Sequence, residues 1–266
     1  MKTKIGVPGQ MSCLPLRRWL AGAHFFELCQ GSMHDLAGQL RRRELDAAFV
    51  SPLEYARESS EYRILPGFTL SSRSGVALYF REHLKEIRTM AANPADASEI
   101  VLARIVLTEE FEIAPPIVPV AATLVPEMLA KADSALVVGD SHFLQEGDEH
   151  HSLDIAEVWS EMVDLPYVHG MLCAREGSIA PEALLEIASH DWGTVSGSIS
   201  DADLPDASGG KDALHRAEAC LRQYSFALTG ETEEGLVEFL RYSHYHGIIP
   251  DVPLVRLYPT GAEEDG

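Results

Sequence analysis

Short apolar runs alternate with amphipathic stretches along most of the chain. Residues 2–7 alternate weakly and predict a strand broken by Pro8-Gly9. The turn Gly9-Gln10-Met11-Ser12-Cys13 leads into a helix from Leu14, with Ser12 as its cap and Pro15 in its first turn. A strand is expected over residues 24–28. Ser32 then opens a helix with Leu36, Ala37 and Leu40, ending in Arg41-Arg42-Arg43, where positive charge complements the helix dipole. Residues 47–50, Ala-Ala-Phe-Val, form a short apolar strand that stops at Ser51-Pro52, and a helix starts at once. Residues 62–65 and 76–80 predict strands separated by a loop over 67–75. Residues 86–92 predict another, followed by an Asn93-Pro94 turn and a helix opened by Asp96 or Ser98.

The second half continues the alternation before turning helical. Pro115, Pro116 and Pro119 punctuate a linker, a helix follows over 126–132, and residues 135–138 form a buried strand ending in Gly139-Asp140-Ser141. A loop rich in Glu, Asp and His runs over 142–151. A helix over 154–163 gathers Ile155, Val158, Trp159 and Met162 on one side, and a strand is expected over 167–173. Helices are predicted over 181–189, 212–228 and 231–245, with an acidic Gly/Ser loop at 201–210. Strand–helix alternation with a helical tail predicts a mixed α/β protein.

At 266 residues the chain is long enough for one large domain or two modest lobes. Its net charge of −20 argues against nucleic acid, because phosphate contacts need clustered Lys and Arg. No run approaches the roughly 18 to 20 apolar residues of a membrane span. The opening MKTKIGVPGQM has no apolar region behind its lysines and reads as a strand rather than a signal peptide. The 4 cysteines, Cys13, Cys29, Cys173 and Cys220, are scattered without a CxxC pair, so a reducing cytoplasm is expected and no zinc site is indicated.

Candidate chemistry gathers where strands meet helix starts. In an open α/β sheet ligands bind beyond the carboxyl ends of the strands, and Ser51 stands at such an end beside the backbone N–H groups of the next helix. Ser12 occupies a similar corner after the first strand. The serines and arginine of Ser72-Arg73-Ser74 lie in a loop expected to enter the same cleft, and Ser98 lies at a further helix start. Gly139 permits close backbone approach and Asp140 follows it toward the cleft. His150 and His151 are adjacent in an acidic loop and lack the i, i+4 spacing of a helical metal pair, so no metal is expected.

Four blocks together resemble the chorismate dehydratase family of the futalosine route to menaquinone. They are Leu45-Asp46-Ala47-Ala48-Phe49-Val50-Ser51-Pro52-Leu53-Glu54-Tyr55-Ala56-Arg57; Ile64-Leu65-Pro66 with the serine-rich loop; Ala135-Leu136-Val137-Val138-Gly139-Asp140; and Asp154-Ile155-Ala156-Glu157-Val158-Trp159 leading to Leu165-Pro166-Tyr167-Val168. The resemblance implies an α/β fold of the two-lobed type II periplasmic-binding-protein kind with a ligand cleft between the lobes. Residues 1–85 and 173–266 would form lobe one and 86–172 lobe two, with crossings near 76–87 and 167–173. It further implies a cytoplasmic lyase that removes water from chorismate to give 3-[(1-carboxyvinyl)oxy]benzoate. No metal or organic cofactor is implied, nor any nucleic-acid or membrane partner, and the protein would be a monomer or homodimer.

On this resemblance Ser12 and Asp140 are the catalytic candidates. Ser51, Ser72, Arg73, Ser74, Ser98, Gly139 and His169 are the candidates for holding a small anionic substrate. Asp140, Glu99 and His169 all remain open as the base. The chain departs from the family pattern at three places. Ser12 stands where the family carries an Asn, Leu78 falls where a hinge Ser is usual, and Ser98-Glu99 replaces a Thr-Ser pair, which puts a carboxylate where a hydroxyl normally meets the substrate. Those departures keep a second reading open, a non-catalytic carboxylate-binding protein of the same fold. A third, the later naphthoate-forming enzyme of the pathway, ranks last because the turn over 9–14 is unlike that enzyme's.

Overall fold

The structure is a computed structural model that describes residues 2–139, 150–192 and 211–259. Its first strands are β1 (Thr3–Pro8), β2 (Phe26–Gly31), β3 (Ala47–Val50) and β4 (Tyr62–Ser72). They join β10 (Tyr167–Arg175) and β11 (Tyr224–Ala227) in a six-stranded sheet of order β11-β4-β10-β3-β1-β2. A second, five-stranded sheet has the order β7-β6-β8-β5-β9. It is built from β5 (Val76–Phe80), β6 (Met90–Ala92), β7 (Ile117–Pro119), β8 (Ser134–Val138) and β9 (His151–Asp154). In the first sheet β1 is parallel to both β2 and β3, and β10 runs antiparallel to β3 and β4. In the second, β6 is parallel to β7 and β8.

Helices cover both sheets, as buried parallel strands require. Those of the first half are α1 (Leu14–Gly22), α2 (Met33–Arg41), α3 (Pro52–Arg57), α4 (Ala97–Phe111) and α5 (Val125–Leu129). The later ones are α6 (Ile155–Val163), α7 (Pro181–Ser189), α8 (Lys211–Leu221) and α9 (Gly230–Tyr245). Local chemistry fixes several starts. Ser32, Ser51 and Asp154 each accept a backbone N–H from the first turn they cap, and Thr229 closes a capping box with Thr232. Asp154 also accepts from Gly75 N at 2.7 Å, tying the start of α6 to the first crossing between the sheets.

The structure revises several expected elements. The loop expected over 67–75 is largely strand, because β4 runs on through Pro66-Gly67 to Ser72. Its register against β10 slips between Ile64 and Thr69, so the Pro-Gly pair is absorbed in a bulge. Gly67 there has φ +115°, and a Cβ would stand 2.4 Å from Trp192 Nε1. The expected helix over 212–228 ends at Leu221, and β11 follows, its Tyr224 and Phe226 buried and Ser225 exposed in the period of a strand. The expected strand over 86–92 shrinks to Met90–Ala92 after a 3₁₀ turn at Leu84–Glu86. The chain changes sheet between Ser72 and Val76, and returns after α6 with β10. The expected lobe boundaries at 85 and 172 therefore fall inside segments that belong to one sheet on each side.

One apolar cluster spans both sheets. It unites Val50 and Ile64 of the first and Tyr55 of α3 with Leu78, Met90 and Leu136 of the second and Leu102 of α4. The C-terminal α9 packs into it: the Phe239 ring lies 5.3 Å from Tyr167 and 6.3 Å from Trp159, both edge-on. Gly235 on the same helix sits against the chain at the second crossing, where an added Cβ would stand 2.4 Å from Pro166 O.

Two substitutions test this seam. Gly235→Ala gains helix propensity of about 1 kcal/mol, but the clash is with backbone that cannot rotate away. A net loss of about 1–3 kcal/mol is expected in urea unfolding. Phe239→Ala leaves a void between Trp159 and Tyr167 and should cost about 3–5 kcal/mol by the same measurement.

Candidate functional site

The parallel strands of both sheets end at one gap. Past the carboxyl ends of β1, β2 and β3 come Gly9-Gln10, Ser32 and Ser51; past those of β6, β7 and β8 come Asn93, Thr123 and Gly139. All line a single cavity of about 350 Å³. Its walls are completed by Phe49, Leu70, Leu136, Met128 and Tyr224. Helix starts follow several of these strand ends. The starts of α2 and α4, and the 3₁₀ turn Met11–Cys13 before α1, turn the positive ends of their peptide dipoles to the cavity, where the described lining holds no cation.

Five of the expected site residues line the cavity: Ser12, Ser51, Ser98, Gly139 and His169. Ser12 lies in the 3₁₀ turn and is 3% exposed. The loop before it is held by Arg17, whose Nη1 donates to Pro8 O at 2.8 Å and Gln10 O at 2.7 Å. Ser51 caps α3 through Glu54 N at 3.4 Å. Ser98, 1% exposed, accepts from Leu53 N at 3.3 Å and so joins the start of α4 to the start of α3 across the two sheets. Gly139 has φ +57°, a left-handed conformation that glycine adopts freely.

Three expected residues take other places, and Asp140 lies outside the described residues. Ser72 does not line the cavity. It is buried behind His169, with its Oγ 2.7 Å from Nε2 and donating to Ser74 O. Arg73 is turned to the surface, where it pairs with Glu231 and with Asp164 at 3.5 Å. Ser74 donates to Gln223 Oε1 at 2.7 Å. Arg73 and Ser74 are therefore corrected from substrate contacts to clamps on the crossing. The cause is the extension of β4, which carries the chain past the cavity before the turn.

Electrostatically the cavity is unusual. Among the described residues no Lys or Arg lines it, whereas Asp96 and Glu99 at the start of α4 both do. Asp96 makes no capping hydrogen bond, and burial followed by the charge of Glu99 pushes its carboxyl up to about 7. Glu99, 7% exposed, lies 3.7 Å from His169 Nδ1 and accepts from the Tyr167 hydroxyl at 3.5 Å. Burial, and then the charge of Glu99, drives the Tyr167 phenol well above its ordinary range, so it stays a donor. Because the Ser72 hydroxyl gives its proton to Ser74 O, it accepts from His169 Nε2–H. That fixes the tautomer and turns Nδ1 toward Glu99.

The sequence placed Asp96 at a helix start without assigning it to the substrate pocket, whereas Glu99 was expected among the possible bases and, through the family pattern, where a hydroxyl meets the substrate. Their legible signal is position: an acidic residue at the cap and another three residues on, directly after a strand end. Arg17 had no such signal, since its role depends on the folded loop.

Asp96→Asn tests the cost of that carboxylate. The folded protein holds the Asp96 proton more tightly than the unfolded chain, so ionisation costs stability increasingly from about pH 4 upward, fully above about pH 7. Asn caps helices as well as Asp does. The variant should gain about 2 kcal/mol at pH 8 and nothing near pH 3.5, as read by urea unfolding at the two pH values.

Comparison with known proteins places this geometry in context. A Menaquinone biosynthesis family model matches residues 3–245. Among solved structures, an Archaeoglobus fulgidus protein superposes with a TM-score of 0.64 at 15% identity, covering 93% of this chain and 98% of that one. The alkanesulfonate-binding protein SsuA from Xanthomonas axonopodis pv. citri, bound to MOPS, matches with 0.61 at 10%, covering 96% of each chain. The ligand-binding component of an ABC-type import system from Staphylococcus aureus, with zinc bound, matches with 0.62 at 13%, covering 100% of this chain and 99% of that one. These likenesses establish the periplasmic-binding-protein-like fold, and the family match over nearly the whole length establishes the lineage: the chain belongs to the menaquinone-biosynthesis family.

Proposed function

We propose that the protein is a carbon–oxygen lyase that removes water from chorismate, giving 3-[(1-carboxyvinyl)oxy]benzoate. The reaction breaks the C–H bond at the ring carbon bearing the enolpyruvyl ether, and its electrons form a new ring double bond. The hydroxyl on the neighbouring carbon leaves, proton and hydroxide depart as water, and the ring becomes aromatic. No oxidant or reductant enters the balance. What the protein must supply is position, a proton acceptor and help for the leaving hydroxyl.

The observation that carries this reading is the Glu99–His169 pair inside a cavity where helix starts from both sheets converge, in a chain of this family. The N–H groups of α2, α4 and the Met11–Cys13 turn are suited to the carboxylates of the ligand. Glu99 is our candidate for the base. His169, oriented by Ser72, shares the abstracted proton, and Ser12 and Ser51 are the neutral donors nearest the strand ends. Asp140, expected at the sequence level as a catalytic group, keeps only its place after Gly139 in the chain. The scattered cysteines, none of them in a disulfide among the described residues, accord with a cytoplasmic setting as part of the same proposal.

A second reading, a carboxylate-binding protein without turnover, is favoured by one observation, the absence of Lys or Arg from the described lining beside two carboxylates. Of the family departures, Leu78 does not bear on it, because that residue is buried in the shared apolar cluster and does not line the cavity.

Chorismate consumption by the purified protein, with mass spectrometry for loss of one water, decides between the two. The lyase reading expects turnover in the wild type. Glu99→Gln should lower kcat by about 100-fold or more while ligand still raises Tm. Chorismate-dependent stabilisation with no product in the wild type would instead establish the binder.

A further inference from the structure

The least expected feature of the cavity is that it answers a dianion with carboxylates. We propose that Asp96 is the specificity-determining residue of this cavity, and that a dicarboxylate enters together with one proton carried by Asp96. The inference rests on the reading of the site as a dicarboxylate pocket and deepens it.

The geometry demands some such device. Asp96 and Glu99 sit three residues apart at the start of one helix and line the same cavity. The titratable groups facing them from neighbouring elements are Tyr167 and His169 of β10, with Tyr224 of β11 packed 5.4 Å from the His169 ring. None of the described lining residues is Lys or Arg. Arg17, near the loop over 8–10, spends its guanidinium on the Pro8 and Gln10 carbonyls. Two more negative charges in this cavity would meet like charge at short range with no fixed cation among the described lining residues to offset it.

Glu99 already accepts from the buried Tyr167 hydroxyl, with the His169 ring beside it at 3.7 Å. Asp96 has no capping bond to retain its charge, and its carboxyl is poised to bind a proton near neutrality. Protonated, it changes from a repelling acceptor into a hydrogen-bond donor for the ligand. The affinity for a dicarboxylate therefore falls about tenfold for each pH unit above the titration of Asp96, and a ligand without negative charge shows no such dependence.

The test uses the product, 3-[(1-carboxyvinyl)oxy]benzoate, which is dianionic and not consumed. Calorimetric titration at pH 8 in two buffers of different ionisation enthalpy reports the protons taken up per ligand bound. The wild type should take up about one. Asp96→Asn, and Asp96→Ser as a second capping variant, should take up none. Asp96→Asn should also bind at pH 8 about tenfold more tightly than the wild type.

Binding without proton uptake in the wild type, or full uptake retained in both variants, overturns the assignment to Asp96. If chorismate is turned over in that case, the lyase reading stands without it. A wild type that fails to bind the product anywhere from about pH 5.5 to 8.5 overturns this proposal and the dicarboxylate pocket together.

Discussion

Parallel strands must expose their last carbonyls and the first N–H groups of the following helices at the same edge, and here two sheets turn that edge toward each other. β1, β2 and β3 end opposite β6, β7 and β8, so the first peptide groups of the helices that follow collect around one cavity. The other features of the site follow from this arrangement. Ser98 joins two helix starts across the gap, Arg17 draws the carbonyls of the first loop into hydrogen bonds of its own, and the apolar cluster under α9 keeps the sheets in register.

Within that frame the strand β10 does double duty. It is buried along its length except at Arg175, pairs antiparallel with β3 and β4, and carries His169 into the cavity beside Glu99 from the other sheet. Ser72, behind it on β4, sets the tautomer. The same strand that holds the sheet together thus orients the group that faces the ligand. The helix dipoles favour an anion there, while Asp96 and Glu99 oppose one, and the proton on Asp96 is what reconciles the two.

Much of this was legible in the chain. The alternation of short apolar runs with capped helices fixed the class, and Ser51 after Ala47–Val50 pointed straight at the cavity because a strand end followed by a cap is a local pattern. Gly139 and Ser12 were readable only as small residues past a strand end: Ser12, expected to cap α1, lies inside the 3₁₀ turn, and Cys13 holds the cap position without a side-chain bond. What failed was non-local. Pro66-Gly67 reads as a break, and only pairing on both sides with β10 and β11 keeps β4 continuous past it. That one extension moved Arg73 and Ser74 to the surface. The strand β11 was hidden because four residues after a helix carry too short a period to outweigh the helical pattern around them. Asp96 was visible as a cap, but its burial beside Glu99 is a tertiary fact.

The central claim is that a dicarboxylate is held by backbone N–H groups at the converging helix starts rather than by surface cations. Amide chemical-shift mapping with 3-[(1-carboxyvinyl)oxy]benzoate tests it most directly. The account predicts the largest changes at the amides of Gln10–Ser12, Ser32–Met33 and Ser98–Glu99. Changes centred instead on the surface groove where Arg43, Arg63 and Arg175 lie among Asp46, Glu61 and Glu176, with the cavity amides unmoved, would contradict it.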